Sequence, residues 1–345
     1  MANVKYNFPT SEQIRLLTSV ESFVSDRLVA TKLLPVDVDN FRQSPTAISW
    51  DILEPTRGLT TLSALDADPV LISQRGIQNR TARPLYFMNS ISIPNSQLLN
   101  MRKLGQSEVR DATDSVLRAI DQLSRRTSAL IEYANVQALT GVLSIDGVTV
   151  DYDFAASHKP VCGTTSGYGT VWTSTASAKP VEDIRRAAAT LNGSGAAEIE
   201  IYASIEAINT MLATNEIQSL LDGVGSLRTL SPEGFALDAP AMLGNGISRI
   251  VVSNNYFTDE SGTPAAFFPA NKIFLVGRAP GVELGCFAST PSLANGGLDG
   301  ARGGPFVYTT DHTNEPKPEI LVTGGIYGLP VIYRPDMVCC LQISA

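Results

Sequence analysis

The feature that most constrains this chain is an unbroken helical pattern over residues 107–139. Apolar or small residues recur at Val109, Ala112, Val116, Ile120, Leu123, Thr127, Leu130, Ala134 and Ala138. The steps are threes and fours, so these residues draw one stripe along a helical surface. No Gly or Pro interrupts the run. Ser107 suits the N-cap, Asp111 suits the positive end of the helix dipole, and Gly141 fits the stop. At 1.5 Å per residue such a helix is roughly 50 Å long, against about three turns for an average globular helix. A rod of that length in a chain otherwise rich in strand signals is a mechanical element. It directs attention to architecture before chemistry.

The chain has 345 residues, more than one compact core usually holds. Residues 1–40 read as an arm with one modest amphipathic helix, over 11–30, carrying Ile14, Leu17, Val20, Val24 and Leu28. Residues 41–97 read as an extended excursion. Its strands cover 47–53 (AISWDIL) and 83–93 (RPLYFMNSISI), and a stretch poor in large apolar residues lies between them. An isolated two-stranded ribbon is marginal in water, so this one is expected to lie on something else. After the long helix, VLSIDGVTVDYDF (142–154) is a hairpin signal: Asp146-Gly147 is a type I′ turn dipeptide between β-branched residues. Residues 162–178 read as a flexible polar loop. Residues 180–191 read as a short helix that opens on Pro180 and stops at Asn192-Gly193.

From 193 to 305 the pattern becomes a separate α/β lobe. Strands are expected over 198–203, 247–253 and 273–276, and short helices over 205–213 and 215–221. The last forty residues return to strand. They are expected to pair with the hairpin beside the long helix, which makes the 193–305 lobe an insertion in a discontinuous domain (98–192 and 306–345).

Charge excludes some functions and suggests others. The net charge is −8, which argues against a general nucleic-acid binder, since those need a basic footprint. Charged residues make up only 17%, where about 25% is usual, as suits either a large enzyme with a generous core or a subunit that hides surface against copies of itself. Residues 57–103 hold six basic side chains against two acidic ones, a net +4, while 193–305 holds eleven acidic against five basic, a net −6. The N-terminal sequence has no signal-peptide core, and no apolar run is long enough for a membrane span, so the chain is expected to work in the cytosol or in something assembled there.

Nothing converges on catalysis. Gly163–Gly169 lacks the Lys and Ser/Thr ending of a phosphate-binding loop, and the glycines of 296–304 neither follow a clear strand nor open a helix. His158 and His312 sit in polar turns outside any catalytic setting. Asp151 and Asp153 flank Tyr152, and are expected on the solvent face of the hairpin. Cys162, Cys286, Cys339 and Cys340 form no C-x-x-C pair and read as small buried hydrophobes. No catalytic residue, cofactor site or metal site is expected.

The order of these parts resembles the major capsid proteins of tailed bacteriophages, of the lambda-type family with the HK97 fold. Three stretches carry the resemblance along nearly the whole chain: ALTGVLSIDGVTVDYDF, RIVVSNNYFTDESGTPAAFFPANKIFLVG, and VYTTDHTNEPKPEILVTGGIYGLPVIYRPDMV with its Gly328–Pro330 and Pro335-Asp336 phrase. The resemblance implies an α+β fold with an N-arm (1–40), an E-loop (41–97), a P-domain with its spine helix at 107–139 (98–192), an inserted A-domain (193–305) and C-terminal P-domain strands (306–345). It implies a structural shell protein, not an enzyme. Copies would form hexamers and pentamers that close into an icosahedral procapsid around double-stranded DNA in the host cytoplasm, and end in the virion. Implied partners are a scaffold protein, a portal and a decoration protein. DNA would be enclosed without sequence-specific binding, and no membrane is involved. An encapsulin-type compartment, which shares the fold, is the alternative; an α/β enzyme is a second one.

On this reading Arg57, Arg75, Arg80 and Arg83 of the basic E-loop are candidate intersubunit contacts, lying on an acidic neighbour. The short segment before the loop points to a scaffold encoded separately. Some shells of this fold are locked by isopeptide bonds from an E-loop lysine, but no lysine lies between Lys32 and Lys103. Mature particles should therefore run as a monomer band on denaturing gels; a ladder of cross-linked rings would contradict this.

Overall fold

A computed structural model describes residues 28–37, 46–53, 76–94, 96, 112–223, 244, 246–258, 262–292, 303–312 and 318–344. In chain order these hold α1 (Val29–Leu33), β1 (Val36–Asp37), β2 (Ile48–Leu53), β3 (Ile77–Ala82), β4 (Leu85–Pro94), α2 (Ala112–Leu139), β5 (Val142–Ile145), β6 (Val148–Asp151), α3 (Pro180–Leu191), β7 (Glu198–Ser204), α4 (Ile205–Leu212), α5 (Asn215–Gly223), β8 (Ile247–Ser253), β9 (Tyr256–Thr258), β10 (Pro264–Ala266), β11 (Lys272–Arg278), β12 (Gly285–Ser289), β13 (Phe306–Asp311), β14 (Glu319–Ile332) and β15 (Val338–Gln342). The chain forms two compact units. One takes Met1–Ile48, Thr81–Asn135 and Cys286–Pro330; the other takes Ser49–Arg80, Val136–Gly285 and Val331–Ala345.

The first unit is a sheet with the long helix on one face. Its strand order is β1-β12-β14-β13, and β4 adds to β14. β4 and β13 both run antiparallel to β14, with Ile93 opposite Ile320, Ile91 opposite Val322 and Val307 opposite Gly324. Side chains alternate across a strand, so these residues share a face. There they pack with Val116, Ala119, Ile120 and Leu123 of α2. The helical stripe is the physical reason: residues three and four apart supply one apolar line, and that line lies along β14. Gly324 sits beneath the helix, where a Cβ would come within 3.3 Å of the Leu123 Cβ and 3.2 Å of the Val307 Cγ2. At Gly325 a Cβ would run into the carbonyl oxygen of Phe87 on β4.

The long helix ends at Leu139, as its sequence predicts, and Gly141 follows at φ 89°. Residues 107–111 lie outside the described residues, as does the arm helix up to residue 27. The strands at 48–53 and 85–94 match the sequence reading, but they do not pair with each other. β2 pairs with β3, and β4 joins the sheet under the helix. The reason is amphipathicity: Ile91 and Ile93 need an apolar partner that a two-residue-thick ribbon lacks, and the face of α2 provides it.

The second unit is built on the sheet β15-β11-β7-β8, antiparallel except for the parallel β7–β8 pair. Ile199, Ile201, Ile250, Ile273, Leu275, Cys339 and Leu341 face Ile184, Ala188 and Leu191 of α3, Ile208 and Met211 of α4, and Ile217 of α5. Here too strand pairing differs from expectation. The hairpin β5–β6 is a separate two-stranded sheet, and the last strand, β15, pairs with β11 in the middle of the lobe read as an insertion. β15 reads Val-Cys-Cys-Leu, apolar on both faces, which suits a sheet covered on both sides. The hairpin turn itself is as predicted: Asp146 and Gly147 both have positive φ, at 47° and 76°, which the type I′ geometry requires.

The stretch 162–178 is a pinned loop instead of a flexible one. Asp183, in the first turn of α3, accepts hydrogen bonds from Trp172 Nε1 (3.0 Å), the Gly169 amide (2.7 Å) and the Cys162 thiol (3.6 Å). Trp172 is fully buried. A single carboxylate thus organises a segment whose polar composition suggests freedom. All four cysteines are buried and unbridged. Burial pushes the Cys162 thiol up to about 12, with Asp183 adding to the effect.

Three substitutions test the packing of helix and strands in the first unit. Leu123→Ala should cost about 2–5 kcal/mol, as expected for a large-to-small change in a core. Gly325→Ala should destabilise more than Gly324→Ala, because the first meets backbone and the second meets side chains that can shift. Urea unfolding of the three variants measures both.

Candidate assembly surfaces

The four arginines singled out from the sequence do not form one surface. Arg57 and Arg75 lie outside the described residues. Arg80, on β3, is bonded within the chain to Asp153. Asp153 lies past the end of β6 with φ 56°, and its amide donates to Asp151 Oδ1 at 2.8 Å. Both carboxylates are exposed, as expected, but only Asp151 belongs to the strand. Tyr152 between them is buried, and its ring lies 6.3 Å from that of Trp50 on β2. Asn79 on β3 donates to Asp51 on β2 at 2.8 Å. The base of the β2–β3 ribbon is thus seated by an aromatic pair and an exposed ion pair. Arg83 behaves differently: its guanidinium carbon lies 5.9 Å from the ring centre of Tyr86, a cation–π arrangement.

Tyr86 leads to a surface that the sequence reading missed. The face of the first unit's sheet opposite α2 carries an aromatic cluster. The Tyr86 and Phe306 rings meet Tyr327 edge-on at 5.2 and 5.0 Å, and Tyr308 stacks beside Phe306 at 6.4 Å. The Tyr327 hydroxyl donates to Met88 Sδ at 3.7 Å. Tyr86, Met88 and Tyr308 are 45%, 53% and 37% exposed. Contiguous apolar surface of this kind marks interaction sites. The alternation in YFMNSISI was visible, but which side faced the helix was not.

In the second unit, Glu200 on β7 is buried between Arg249 on β8 (2.9 Å) and Arg278 on β11 (2.7 Å), and it also accepts from the Tyr202 hydroxyl. Burial opposes its ionisation, but the hydrogen bonds from Tyr202 and Arg278 and the two guanidiniums outweigh it and hold the carboxyl below its ordinary value. This network ties three strands and presents no reactive group. His158 Nδ1 is hydrogen-bonded with the Val338 carbonyl at 2.8 Å. Among the described residues no three His, Cys, Asp or Glu side chains gather as metal ligands, and no helix is long and apolar enough to cross a membrane.

The model of the phage major capsid protein E family matches residues 44–343. The chain belongs to that family. Two solved structures share its fold. A phage-related protein from Bordetella bronchiseptica RB50 has a TM-score of 0.58 at 12% identity, covering 96% of each chain. A putative capsid protein of a prophage from E. coli CFT073 has a TM-score of 0.57 at 14% identity, covering 97% of this chain and 99% of that one. No curated protein matches. The fold of this capsid protein is α+β, and its role is structural. Capsid proteins assemble into multimeric shells, which places this one in the virion.

The Glu200 network sets one pH dependence of the capsid subunit. A carboxyl held below its unfolded value contributes stability that is present above that unfolded value and is lost as pH falls through the depressed one. Glu200→Gln should lower the melting temperature at neutral pH and flatten its decline in acid, as measured by thermal melts between pH 2 and 7.

Proposed function

We propose that this protein is the tile of a phage head: copies form hexamers and pentamers that close into an icosahedral shell around double-stranded DNA. The family match over residues 44–343 carries this reading. The low charge content and the exposed aromatic face support it, since both suit a subunit that covers its surface with copies of itself. The tile has no catalytic task. It assembles in the host cytoplasm with a scaffold protein and a portal, and a decoration protein is a further partner of the finished shell. DNA is held by enclosure, without sequence reading.

The segments have separate tasks in this proposal. Residues 1–40 are the arm, 41–97 the extended loop, and the long helix is the spine of the peripheral domain (98–192 and 306–345). Residues 193–305 are the axial domain. The loop's basic side chains Arg57, Arg75 and Arg83 meet acidic surface on a neighbour. Arg80 has an internal partner in Asp153, so its contribution is to aim the loop. Each exposed pair is worth only about 0–1 kcal/mol; the effect on a shell comes from repetition.

The test is assembly of the purified protein with its scaffold, followed by electron microscopy and sedimentation. Arg57→Glu/Arg75→Glu/Arg83→Glu should leave the subunit folded by circular dichroism and weaken assembly, most strongly at low salt. Tyr86→Ser/Met88→Ser should do so at all salt concentrations. Normal shells from both variants at every salt concentration would overturn the proposed contacts. Particles lacking DNA in infected or induced cells would overturn the role.

A further inference from the structure

The segment 28–37 is held to the first unit in an unusual way. α1 is only five residues long, and Leu28 before it supplies no side-chain cap. Its first amides need acceptors, and they find one on the far side of the sequence. Glu132 of α2 accepts from the Ala30 amide at Oε1 (2.8 Å) and from the Thr31 amide and hydroxyl at Oε2 (2.7 Å each). One turn on, Asn135 Nδ2 donates to the Leu34 carbonyl at 3.1 Å, closing the other end. Among the described residues the segment then pairs with β12 at Val36 and Asp37, and the Phe287 amide donates to the Pro35 carbonyl at 2.8 Å. Ser289 Oγ adds a hydrogen bond to the Asp37 carbonyl at 2.5 Å.

Beneath this strap the helix surface is polar where a core would be apolar. Ser128, Glu132 and Asn135 fall at i, i+4 and i+7, on one face. All three are buried, Glu132 to 1% exposure. Ser128 Oγ and Asn135 Oδ1 have no hydrogen-bond partner. Burying a charge and leaving polar atoms unpaired both cost free energy. Lifting the strap would uncover the Glu132 carboxyl and the Asn135 amide, which it now bonds. Against that stand the apolar anchors Leu28, Ala30, Leu33 and Leu34, all buried. The seat therefore sets apolar burial against buried polar groups, and the Glu132 carboxyl lies at its centre.

We propose that residues 28–37 are a detachable strap whose seating on α2 is set by the protonation of Glu132, firm when the carboxyl is neutral and loosened when it ionises. Residues 1–27 come immediately before this strap in the sequence, so its release moves the point where they join it. In the neutral form Oε1 still accepts from Ala30, and the new O–H at Oε2 donates to the Thr31 hydroxyl. The charged form gains hydrogen bonds but carries a buried charge. Burial is the larger effect: it pushes the carboxyl above its ordinary value, and the bonds from Ala30 and Thr31 only partly offset it. With the seated value above the released one, the stabilisation is fully present below the ordinary carboxylate value and is lost as pH rises through the raised one. The other charged or titratable groups nearby are Lys32, which is exposed, and Asp37, half-buried, on the strap. On the helix they are the exposed Arg125 and Arg126 and the half-buried Tyr133; on β12 there is the buried Cys286.

Hydrogen exchange of the full chain, corrected for intrinsic rates, tests this between pH 4 and 8. Protection of a peptide spanning 28–37 should fall as pH rises, by up to about tenfold for each unit separating the seated and released titrations. A peptide from 319–328 should stay constant. Glu132→Gln should abolish the pH dependence, and Asp37→Asn should keep it. Thr31→Val removes a donor that favours the charged form, so it should move the midpoint to higher pH. The proposal is overturned if the strap and the 319–328 peptide exchange together at every pH. It is equally overturned if Glu132→Gln keeps the pH dependence, or if Thr31→Val leaves the midpoint in place.

Discussion

The first unit depends on how closely a rigid helix can approach a sheet. α2 lies along β14 with Leu123 over Gly324, and at that crossing no side chain on the strand holds the two apart. Close contact lets Val116, Ala119, Ile120 and Leu123 reach Ile91, Ile93, Ile320 and Val322. Gly325 extends the same logic sideways, where β4 comes so close that a Cβ would strike its backbone. A sheet gripped on one face by a rod is stiff, and its other face is left to present Tyr86, Met88 and Tyr308. For a shell subunit, a stiff plate with an adhesive outer face is a sensible division of labour.

Three buried carboxylates carry much of the remaining organisation, and each ties together parts that the chain keeps apart. Glu132 holds α1 from 101 residues away. Asp183 gathers Cys162, Gly169 and Trp172 into one fixed loop. Glu200 links β7, β8 and β11 through two arginines. Their electrostatics differ in sign. Glu200 has guanidiniums at hand and is held ionised, whereas Glu132 is held by amides and a hydroxyl and is pushed towards neutrality. The same residue type is therefore favoured in its charged form in one unit and pushed towards its neutral form in the other.

Local signals were legible wherever they rested on short-range geometry. The end of the long helix, the Asp146-Gly147 turn, α3 and the strands at 198–204 and 247–253 fall where periodicity and turn chemistry put them. Pairing was less legible. The 83–93 strand was assigned to the wrong partner, and β15 to the wrong sheet, because alternation tells which residues share a face but not which neighbour covers it. The pinned loop was missed because composition weighs its serines and threonines but not one buried aspartate. The assembly residues were legible only as a charge imbalance: the structure takes Arg80 for an internal ion pair and sets Arg83 over Tyr86. Glu132 and Asn135 lie off the apolar stripe that the helical period picks out, so nothing in the sequence marked them as buried.

The sequence by itself determined the kind of molecule: a long rod, two lobes, no convergent chemistry, and an order of parts that resembles a capsid protein. These follow from helical period, turn residues and composition, which act over a few residues at a time. The tertiary structure alone decided which strands meet, which face of the sheet stays open, and which carboxylates become buried. Those outcomes depend on contacts between residues tens to hundreds of positions apart. Their energies come from burial and shape, and no local pattern along the chain encodes them.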